Sequence, residues 1–177
     1  PRREQSARML IDSFMPEGIT QLAVDSIFMM PQLGVLANIE KEDLADEART
    51  AALEVFHKDC LIRLGTCITP VGKVKDGEVV LNAEFEMPTG ETVTKEIKKN
   101  ELIRIEVEYA PIKAKLTPQK KMDIGAGVGE PISTTVYGGV VGLILDGRDR
   151  PISIPTDSED RLSALNNWSD AVNEYPN

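Results

Sequence analysis

Apolar residues recur at helical spacing over the first part of the chain. The first stripe ends before Pro16 and Gly18 and consists of Ala7, Leu10, Ile11 and Phe14. Because residues three and four apart share one face of a helix, this spacing predicts an amphipathic helix that Pro16 stops. A short strand is predicted at residues 21–25, and a compact apolar helix is predicted at residues 31–38.

A second amphipathic helix is predicted over residues 41–56. Its apolar face is formed by Leu44, Ala48, Ala52, Val55 and Phe56. Its first turns are rich in carboxylates, namely Glu42, Asp43, Asp46 and Glu47. Negative charge at this end complements the positive end of the helix dipole, which strengthens the prediction.

After Cys60 the apolar residues alternate with polar ones, which is typical of half-buried antiparallel strands. The alternating runs are Val79, Leu81, Ala83, Phe85 and Met87; Ile103, Ile105, Val107 and Tyr109; and Ile112, Ala114 and Leu116. Residues 140–145 are apolar on both faces, which predicts a central, fully buried strand. Gly77 and Gly90 mark turns between the runs, so the pattern predicts a small β barrel or sandwich between Cys60 and Pro155.

A closing helix is predicted after the β-rich part. Thr156 and Glu159 have the spacing of a capping box. The apolar stripe that follows consists of Leu162, Leu165, Trp168 and Val172. Trp168 is the only tryptophan, and its place on the stripe predicts a core anchor. The chain as a whole is predicted to be α+β, with a helical segment at 1–59, a β-rich domain at 60–155 and a C-terminal helix at 156–177.

Charge and hydropathy argue against two classes of partner. The net charge is −9, and the only dense basic cluster, at residues 113–121, contains no aromatic residue. Nucleic-acid binding needs a basic face, so no nucleic-acid partner is expected. No window reaches the ~18 apolar residues of a membrane span, and no signal-peptide pattern begins the chain. We therefore expect a soluble, cytoplasmic piece excised from a longer protein.

Two cysteines and the only histidine lie close together in sequence, as His57, Cys60 and Cys67. A structural zinc site needs four ligands, and no matching second pair follows these three. Both cysteines have apolar neighbours, where a free cysteine usually packs as a small hydrophobic residue. The pattern predicts reduced, buried thiols and no metal site, with a zinc site as the alternative.

A glycine-rich tract covers residues 123–151. Its glycines at Gly125, Gly127, Gly129, Gly138 and Gly139 bracket one predicted strand, and a second strand follows. The dinucleotide fingerprint has a different spacing and is followed by a helix whose N-terminus binds the pyrophosphate. We therefore expect a loop that packs against a neighbouring domain or partner, with a phosphate-binding loop as the alternative.

The tract ends in a dense group of opposite charges. Asp146, Arg148, Asp149 and Arg150 lie within one turn after the predicted buried strand. This pattern favours an ion-paired loop or a site that binds a partner's carboxylate or phosphate. The alternative is a catalytic or ligand site in which these side chains converge in a cleft. No motif for nucleotide hydrolysis or a serine nucleophile is present, so no catalytic residue is assigned.

Three segments carry a family resemblance. They are residues 17–36 (EGITQLAVDSIFMMPQLGVL), residues 59–72 (DCLIRLGTCITPVG) and the glycine-rich tract. They resemble, in the same order, segments of the glutamate mutase (methylaspartate mutase) accessory protein family known as MutL or GlmL. The chain does not resemble the unrelated DNA mismatch-repair ATPase that shares the short name.

The resemblance implies an ATPase of the actin/Hsp70/sugar-kinase class that reactivates coenzyme B12-dependent mutases. The first sixty residues would end the ATPase lobe, and the β-rich part would be a C-terminal appendage. ATP and Mg²⁺ are implied for the whole protein, whereas the motifs that bind them would lie upstream of Pro1. The implied partners are the upstream lobe and the mutase subunits. A purely structural oligomerisation module is the remaining alternative.

Self-association of this chain is also expected from the resemblance. Without the upstream lobe, several apolar residues would lose their cover: Leu10, Phe14, Val24, Ile27, Phe28, Met29 and Met30. Exposed apolar surface is unfavourable by roughly 25 cal/mol per Å², so these segments should pack together between chains.

Overall fold

The computed structural model describes residues 2–38 and 45–175, and within these ranges the fold is α+β. Its helices are α1 (Arg3–Phe14), α2 (Met30–Ala37), α3 (Ala45–Val55) and α4 (Ser158–Ala171), and a π-helical turn at Phe56–Cys60 follows α3. The helices predicted after Pro31 and before Phe56 are therefore present. Residues 41–44 of the second one lie outside the described residues.

Ten strands form three sheets in the described part of the chain. They are β1 (Gly18–Asp25), β2 (Leu61–Thr69), β3 (Val71–Gly72), β4 (Val79–Glu86), β5 (Thr92–Lys98), β6 (Leu102–Ile105), β7 (Pro111–Pro118), β8 (Met122–Asp123), β9 (Ile132–Tyr137) and β10 (Gly142–Asp146). The first sheet has the order β1-β2-β10-β6, the second has the order β5-β4-β7-β9, and β3 pairs with β8. The sheets are open, so the barrel alternative was wrong. Strand β10 runs parallel to β2 and antiparallel to β6, and the strand pairs of the second sheet are antiparallel, as a mainly antiparallel β domain requires.

The chain divides into two compact units, one comprising residues 1–22 and 64–177 and the other residues 23–63. In the larger unit both four-stranded sheets contribute to one hydrophobic cluster. Its members include Ile68 and Leu143 from the first sheet, and Phe85, Ile112 and Leu116 from the second. Both sheets therefore contribute side chains to the same core.

The alternating and continuous apolar patterns correspond to the observed burial. Every second residue of β7 is buried, and β4 alternates in the same way from Leu81 onward. All five residues of β10 are buried. This strand lies between β2 and β6, which is the central position that its uniformly apolar sequence predicted.

The run predicted at residues 103–109 is only partly a strand. Strand β6 ends at Ile105, and Tyr109 is exposed and stacks on Tyr137 with ring centroids 5.6 Å apart. The cause is a close backbone approach, since a Cβ on Gly138 would lie 2.1 Å from the Glu108 carbonyl oxygen. The chain leaves the sheet at this crossing, so the alternating pattern does not continue as a strand.

The C-terminal helix begins one residue later than its sequence suggested. Asp157, not Thr156, is the N-cap, and its carboxylate accepts hydrogen bonds from the N–H groups of Glu159 and Asp160. An ionised side chain accepts at the positive end of the helix dipole more strongly than a hydroxyl. Trp168 and Val172 are buried as predicted, but Leu162 is exposed.

The smaller unit contains α2, α3 and the π-helical turn. Its core is a small cluster formed by Leu33, Ala52 and Cys60, with Met29, Ala37 and Phe56 packed around them. Ala52 therefore lies on the buried face as expected, whereas Val55 is exposed.

Candidate functional site: a buried arginine–carboxylate network

The charged loop after β10 is folded inward, and Asp146 is its centre. Asp146 ends the buried strand and is 0% exposed. Both of its carboxylate oxygens accept from Arg148: Nε donates to Oδ1 at 2.9 Å and Nη2 donates to Oδ2 at 2.9 Å. The backbone N–H of Arg148 also donates to Oδ1. The result is a two-point pair, the strongest geometry that an arginine and a carboxylate can form.

Arg148 connects this pair to both helices at the ends of the larger unit. Its Nη1 atom forms an ion pair of 2.8 Å with Oδ1 of Asp12 on α1. Its guanidinium carbon lies 5.0 Å from the centroid of the Trp168 ring on α4, which is a cation–π distance. The tryptophan Nε1–H donates to the carbonyl of Asn100. Trp168 is therefore a core anchor whose ring packs on a cation.

Arg150 contacts Asp146 from a third direction. Its Nη2 atom donates to Asp146 Oδ2 at 2.8 Å and to Thr69 Oγ1 at 3.1 Å. Its Nε atom donates to the backbone carbonyl of Pro16. Arg150 thus links the loop to the end of β2 and to the segment between α1 and β1.

The electrostatics of the cluster are balanced internally. Burial acts to raise the pKa of Asp146, but hydrogen bonds and charge from Arg148, followed by Arg150, outweigh it, so this pKa lies below its usual range. Burial likewise opposes the charged form of Arg148, and the carboxylates of Asp146 and Asp12 overcome it and raise the arginine's pKa. Asp146 and Arg148 therefore remain ionised inside the protein.

This arrangement leaves little scope for acid–base chemistry. Both Asp146 oxygens already accept from arginines, so the carboxylate offers no free lone pair at hydrogen-bonding distance from a substrate. Asp149 points away and pairs with Lys99 at 3.3 Å. A groove of about 550 Å³ lies nearby and is lined by Trp168, but not by the charged loop. We interpret the network as a structural connection between elements.

The glycines at 125, 127 and 129 form a tight loop closed by Asp123. Its Oδ1 atom accepts from the backbone N–H groups of Gly125 at 2.6 Å and of Gly127 at 3.1 Å. All three glycines have positive φ, where other residues are strained. A phosphate-binding loop presents such N–H groups to an anion. Here the loop's own carboxylate occupies them, so the tract does not fit the phosphates of ATP.

Gly138 and Gly139 serve a different purpose from the loop glycines. Their missing Cβ atoms let the chain between β9 and β10 cross two backbones, those of Glu108 and Leu64. The N–H of Gly139 donates to the Val107 carbonyl at that crossing. Both glycines are buried. They therefore differ from Gly125 of the Asp123 loop, which is exposed.

Both cysteines are free and buried. Burial, together with the charge of Asp146, raises the pKa of Cys67 to about 12, so its thiol stays protonated. The hydroxyl of Thr69 lies 3.4 Å from the Cys67 sulfur. Within the described ranges no group of three or more histidine, cysteine, aspartate or glutamate side chains is arranged to hold a metal ion.

A second feature of functional interest is the loop at residues 25–30 in the smaller unit. The Asp25 carboxylate accepts from the backbone N–H groups of Ile27, Met29 and Met30. Phe28 in this loop has a φ of 56° and is 81% exposed. A bulky residue rarely adopts this backbone region, and its side chain gains no compensating burial here.

The loop continues into an apolar surface. Ile27, Met30, Val35 and Leu36 are exposed beside Phe28 in sequence. We call residues 27–36 the apolar segment. Met29 is the exception, since it packs against the small cluster around Leu33.

Sequence reasoning identified the charged loop but missed most of its partners. Asp12, Thr69 and the carbonyl of Pro16 lie far from residue 146 in sequence. Arg8 was also missed; it pairs with Asp12 at 2.9 Å and with Glu174 at 2.9 Å. The four-residue spacing of Arg8 and Asp12 on one helix was the only available signal.

Comparisons with known proteins add no assignment, since no family model, no curated protein and no solved structure matches this chain. In the part of the chain that the structure describes, every helix is too short or too polar to cross a membrane.

Proposed function

We propose that this chain is the partner-binding C-terminal portion of a cytoplasmic, ATP-dependent reactivating chaperone for a coenzyme B12-dependent mutase. In this proposal residues 23–63 complete the ATPase lobe, and the β-rich unit binds the mutase. The identity of the partners comes from the resemblance of residues 17–36, 59–72 and 123–151 to the MutL/GlmL family.

The observation that carries the proposal is the exposed apolar segment. Phe28 is 81% exposed and Val35 is 75% exposed. Contiguous apolar surface on a protein commonly marks a contact with another protein or domain. The resemblance assigns this part of the chain to an ATPase lobe, so the upstream portion of that lobe is its expected cover.

The charged network supports a binding role for the larger unit. Its charged side chains pair with one another, which favours a structural connection over an open catalytic site in the loop after β10. A reactivator must bind one state of the mutase more tightly than another, because only differential affinity can shift a conformational equilibrium. A rigid unit attached to an ATP-driven lobe can supply that difference.

The decisive experiment is a pull-down of purified mutase subunits, with and without ATP. We expect this chain to retain the mutase, and we expect ATP to alter retention only when the ATPase lobe is attached. Failure of both forms to retain the mutase would contradict the proposal.

A substitution in the apolar segment tests the contact with the ATPase lobe. Phe28→Asn should stabilise this chain by roughly 1 kcal/mol, because asparagine tolerates positive φ better than phenylalanine. The same change should weaken binding to a separately produced ATPase lobe roughly thirtyfold, the loss typical of a central aromatic contact.

The matched control is Tyr175→Asn, which removes an exposed aromatic side chain from the larger unit. It should leave binding to the lobe unchanged. Equal binding by the wild type and Phe28→Asn, measured by calorimetry, would show that the apolar segment is not the contact.

A further inference from the structure

A groove of about 550 Å³ lies along the C-terminal helix, beside the edge of the first sheet. One wall is the face of α4 that runs from Asp160 to Trp168. Another wall is formed by residues 100–103, which include the first two residues of β6. Ser153 and Pro155 also line the cavity. We call it the α4 groove, and its size is within the range of protein binding sites.

The lining of the α4 groove combines apolar surface with negative charge. Two exposed carboxylates, those of Glu101 and Asp160, belong to it, and neither forms an ion pair within the described residues. The other polar lining side chains are uncharged amides and hydroxyls. The groove is therefore complementary to an apolar surface that carries positive charge. Its apolar lining residues are Leu102, Ile103, Pro155, Ala164 and Trp168.

The strand that contributes to the groove is an edge strand, because β6 is the last strand on its side of the first sheet. The N–H of Gly147 donates to the carbonyl of Glu101 at 2.8 Å. The same register places Leu102 opposite Asp146 and Ile103 opposite Leu145. Alternate residues of a strand direct their backbone groups to the same side. Ile103 thus directs its N–H and carbonyl toward β10, whereas Leu102 directs them away from it.

The backbone groups of Leu102 have no hydrogen-bond partner on this open side in the part of the chain that the structure describes. Leu102 is nevertheless only 6% exposed, and it lines the groove. Buried backbone N–H and carbonyl groups in proteins almost always form a hydrogen bond. The nearby carbonyl of Asn100 already accepts from Trp168 Nε1 at 2.9 Å. Leu102 therefore presents the free backbone groups to which an added strand can bond.

We propose that the α4 groove binds an extended segment of a partner protein that carries basic side chains. The segment bonds to the backbone of Leu102, packs apolar side chains between α4 and β6, and pairs lysine or arginine with Asp160 and Glu101. The lining face of α4 is about 12 Å long at 1.5 Å per residue. This length accommodates about four residues of extended chain. The proposal does not depend on the proposed function.

The first test uses a defined peptide with blocked ends, VKVKV, in which valine and lysine alternate. Its acidic counterpart is VEVEV. In a nuclear magnetic resonance titration of the chain, VKVKV should bind roughly tenfold more tightly than VEVEV, because the carboxylates attract one and repel the other. The amide signal of Leu102 should shift strongly as its N–H gains an acceptor. The amide signal of Ile103 should shift less, since that group already faces β10.

A charge reversal within the groove tests the ion pairs. Asp160→Lys should weaken the binding of VKVKV roughly tenfold, because an attraction becomes a repulsion. Glu159→Lys is the matched control and should have a much smaller effect. Both residues are exposed and lie in the first turn of α4, so the changes in net charge and in the helix dipole are the same. Only Asp160 lines the groove. Equal weakening by both variants would overturn the proposal.

A substitution that fills the groove tests its shape. Ala164→Phe places a ring among the lining residues and should abolish the binding of VKVKV. Asn166→Phe adds the same ring to the same helix at an exposed position outside the lining, and it should bind like the wild type. If Ala164→Phe does not fold, the two charge reversals still test the proposal.

Several outcomes would contradict a basic, extended partner segment. They are wild-type protein that does not bind VKVKV at millimolar concentration, and a folded Ala164→Phe variant that binds it unchanged. Equal shifts with free spermidine would assign the groove to small cations. A wild-type dimer that dissociates in Ala164→Phe, measured by sedimentation without peptide, would assign it to a second copy of this chain.

Discussion

At the scale of single residues, Asp146 has the most demanding environment in the described structure. It is fully buried, and two arginines depend on it for compensation of their charge. A buried ion pair contributes little net stability compared with apolar packing, but the loss of one partner leaves the other charge uncompensated. Replacement of Asp146 by an uncharged residue should therefore strongly reduce the stability of the protein.

Asp146→Asn should reduce the free energy of unfolding by about 3–5 kcal/mol, because Arg148 and Arg150 would remain buried without their carboxylate. Urea denaturation followed by Trp168 fluorescence measures the change. Asp149→Asn is the control, since it makes the same substitution in the same loop at a half-exposed pair with Lys99. That variant should lose less than about 1 kcal/mol, and equal losses would contradict our interpretation of the network.

The pH dependence of stability should reveal the same carboxylate. The pKa of Asp146 is lower in the folded protein than its ordinary value of about 3.9, because the bonds and charge of Arg148 and Arg150 outweigh burial. Its contribution to stability is therefore complete above about pH 4 and is lost as the pH falls through the folded-state pKa.

Two other carboxylates contribute to acid sensitivity, so a comparison of variants is needed. Hydrogen bonds from the backbone lower the pKa of Asp25, chiefly from Met30, and the pKa of Asp157, chiefly from Asp160. The difference in unfolding free energy between the wild type and Asp146→Asn isolates Asp146. This difference should shrink as the pH is lowered below about 4, and a constant difference would exclude an ionised Asp146.

At the scale of elements, the N-cap of α4 gives a direct test of the helix boundary. Asp157→Ala should reduce the free energy of unfolding by about 1 kcal/mol, because two backbone N–H groups lose their acceptor. Thr156→Ala should have an effect within about 0.5 kcal/mol, since Thr156 precedes the cap. Thermal unfolding by circular dichroism compares the two variants, and a larger loss for Thr156→Ala would place the cap where the capping-box pattern suggested.

The elements that could be predicted are those whose burial is fixed by their own sequence. Strand β7 alternates and β10 is wholly apolar, so each pattern reports one or two buried faces. The end of β6 could not be predicted, because it depends on the crossing of Gly138 over Glu108. The N-cap of α4 was misjudged because Thr156 and Asp157 are both good caps, and only the geometry selects between them.

The charged network was predictable as an ion-paired loop but not as a buried one. Adjacent residues 146–150 indicated the internal pairs, and these are present. The burial comes from Asp12 and Trp168, which the fold brings to the loop from the two terminal helices. No local pattern connects α1 with α4, so their meeting at Arg148 could be learned only from the tertiary structure.

At the scale of the whole molecule, the occupied glycine loop leads to a further prediction. Calorimetry should detect no binding of ATP to this chain, with or without Mg²⁺, because Asp123 already occupies the N–H groups of the glycine loop. Replacement of Asp123 by alanine serves as a comparison, since it frees those groups without supplying a lysine or metal-binding carboxylates. Micromolar affinity in the wild type would contradict this interpretation and the assignment of nucleotide chemistry to an upstream lobe.

The contact between Arg8 and Glu174 has a consequence for the order of events during synthesis. These residues are 166 positions apart in the chain, yet their side chains meet at 2.9 Å. While the ribosome is still translating the C-terminal helix, α1 lacks both Glu174 and the Trp168 ring beneath Arg8. The sheets can pair earlier, but α1 can reach its final position only after Trp168 and Glu174 have left the ribosome, so a polypeptide cut short before Trp168 would expose Arg148 and be readily degraded.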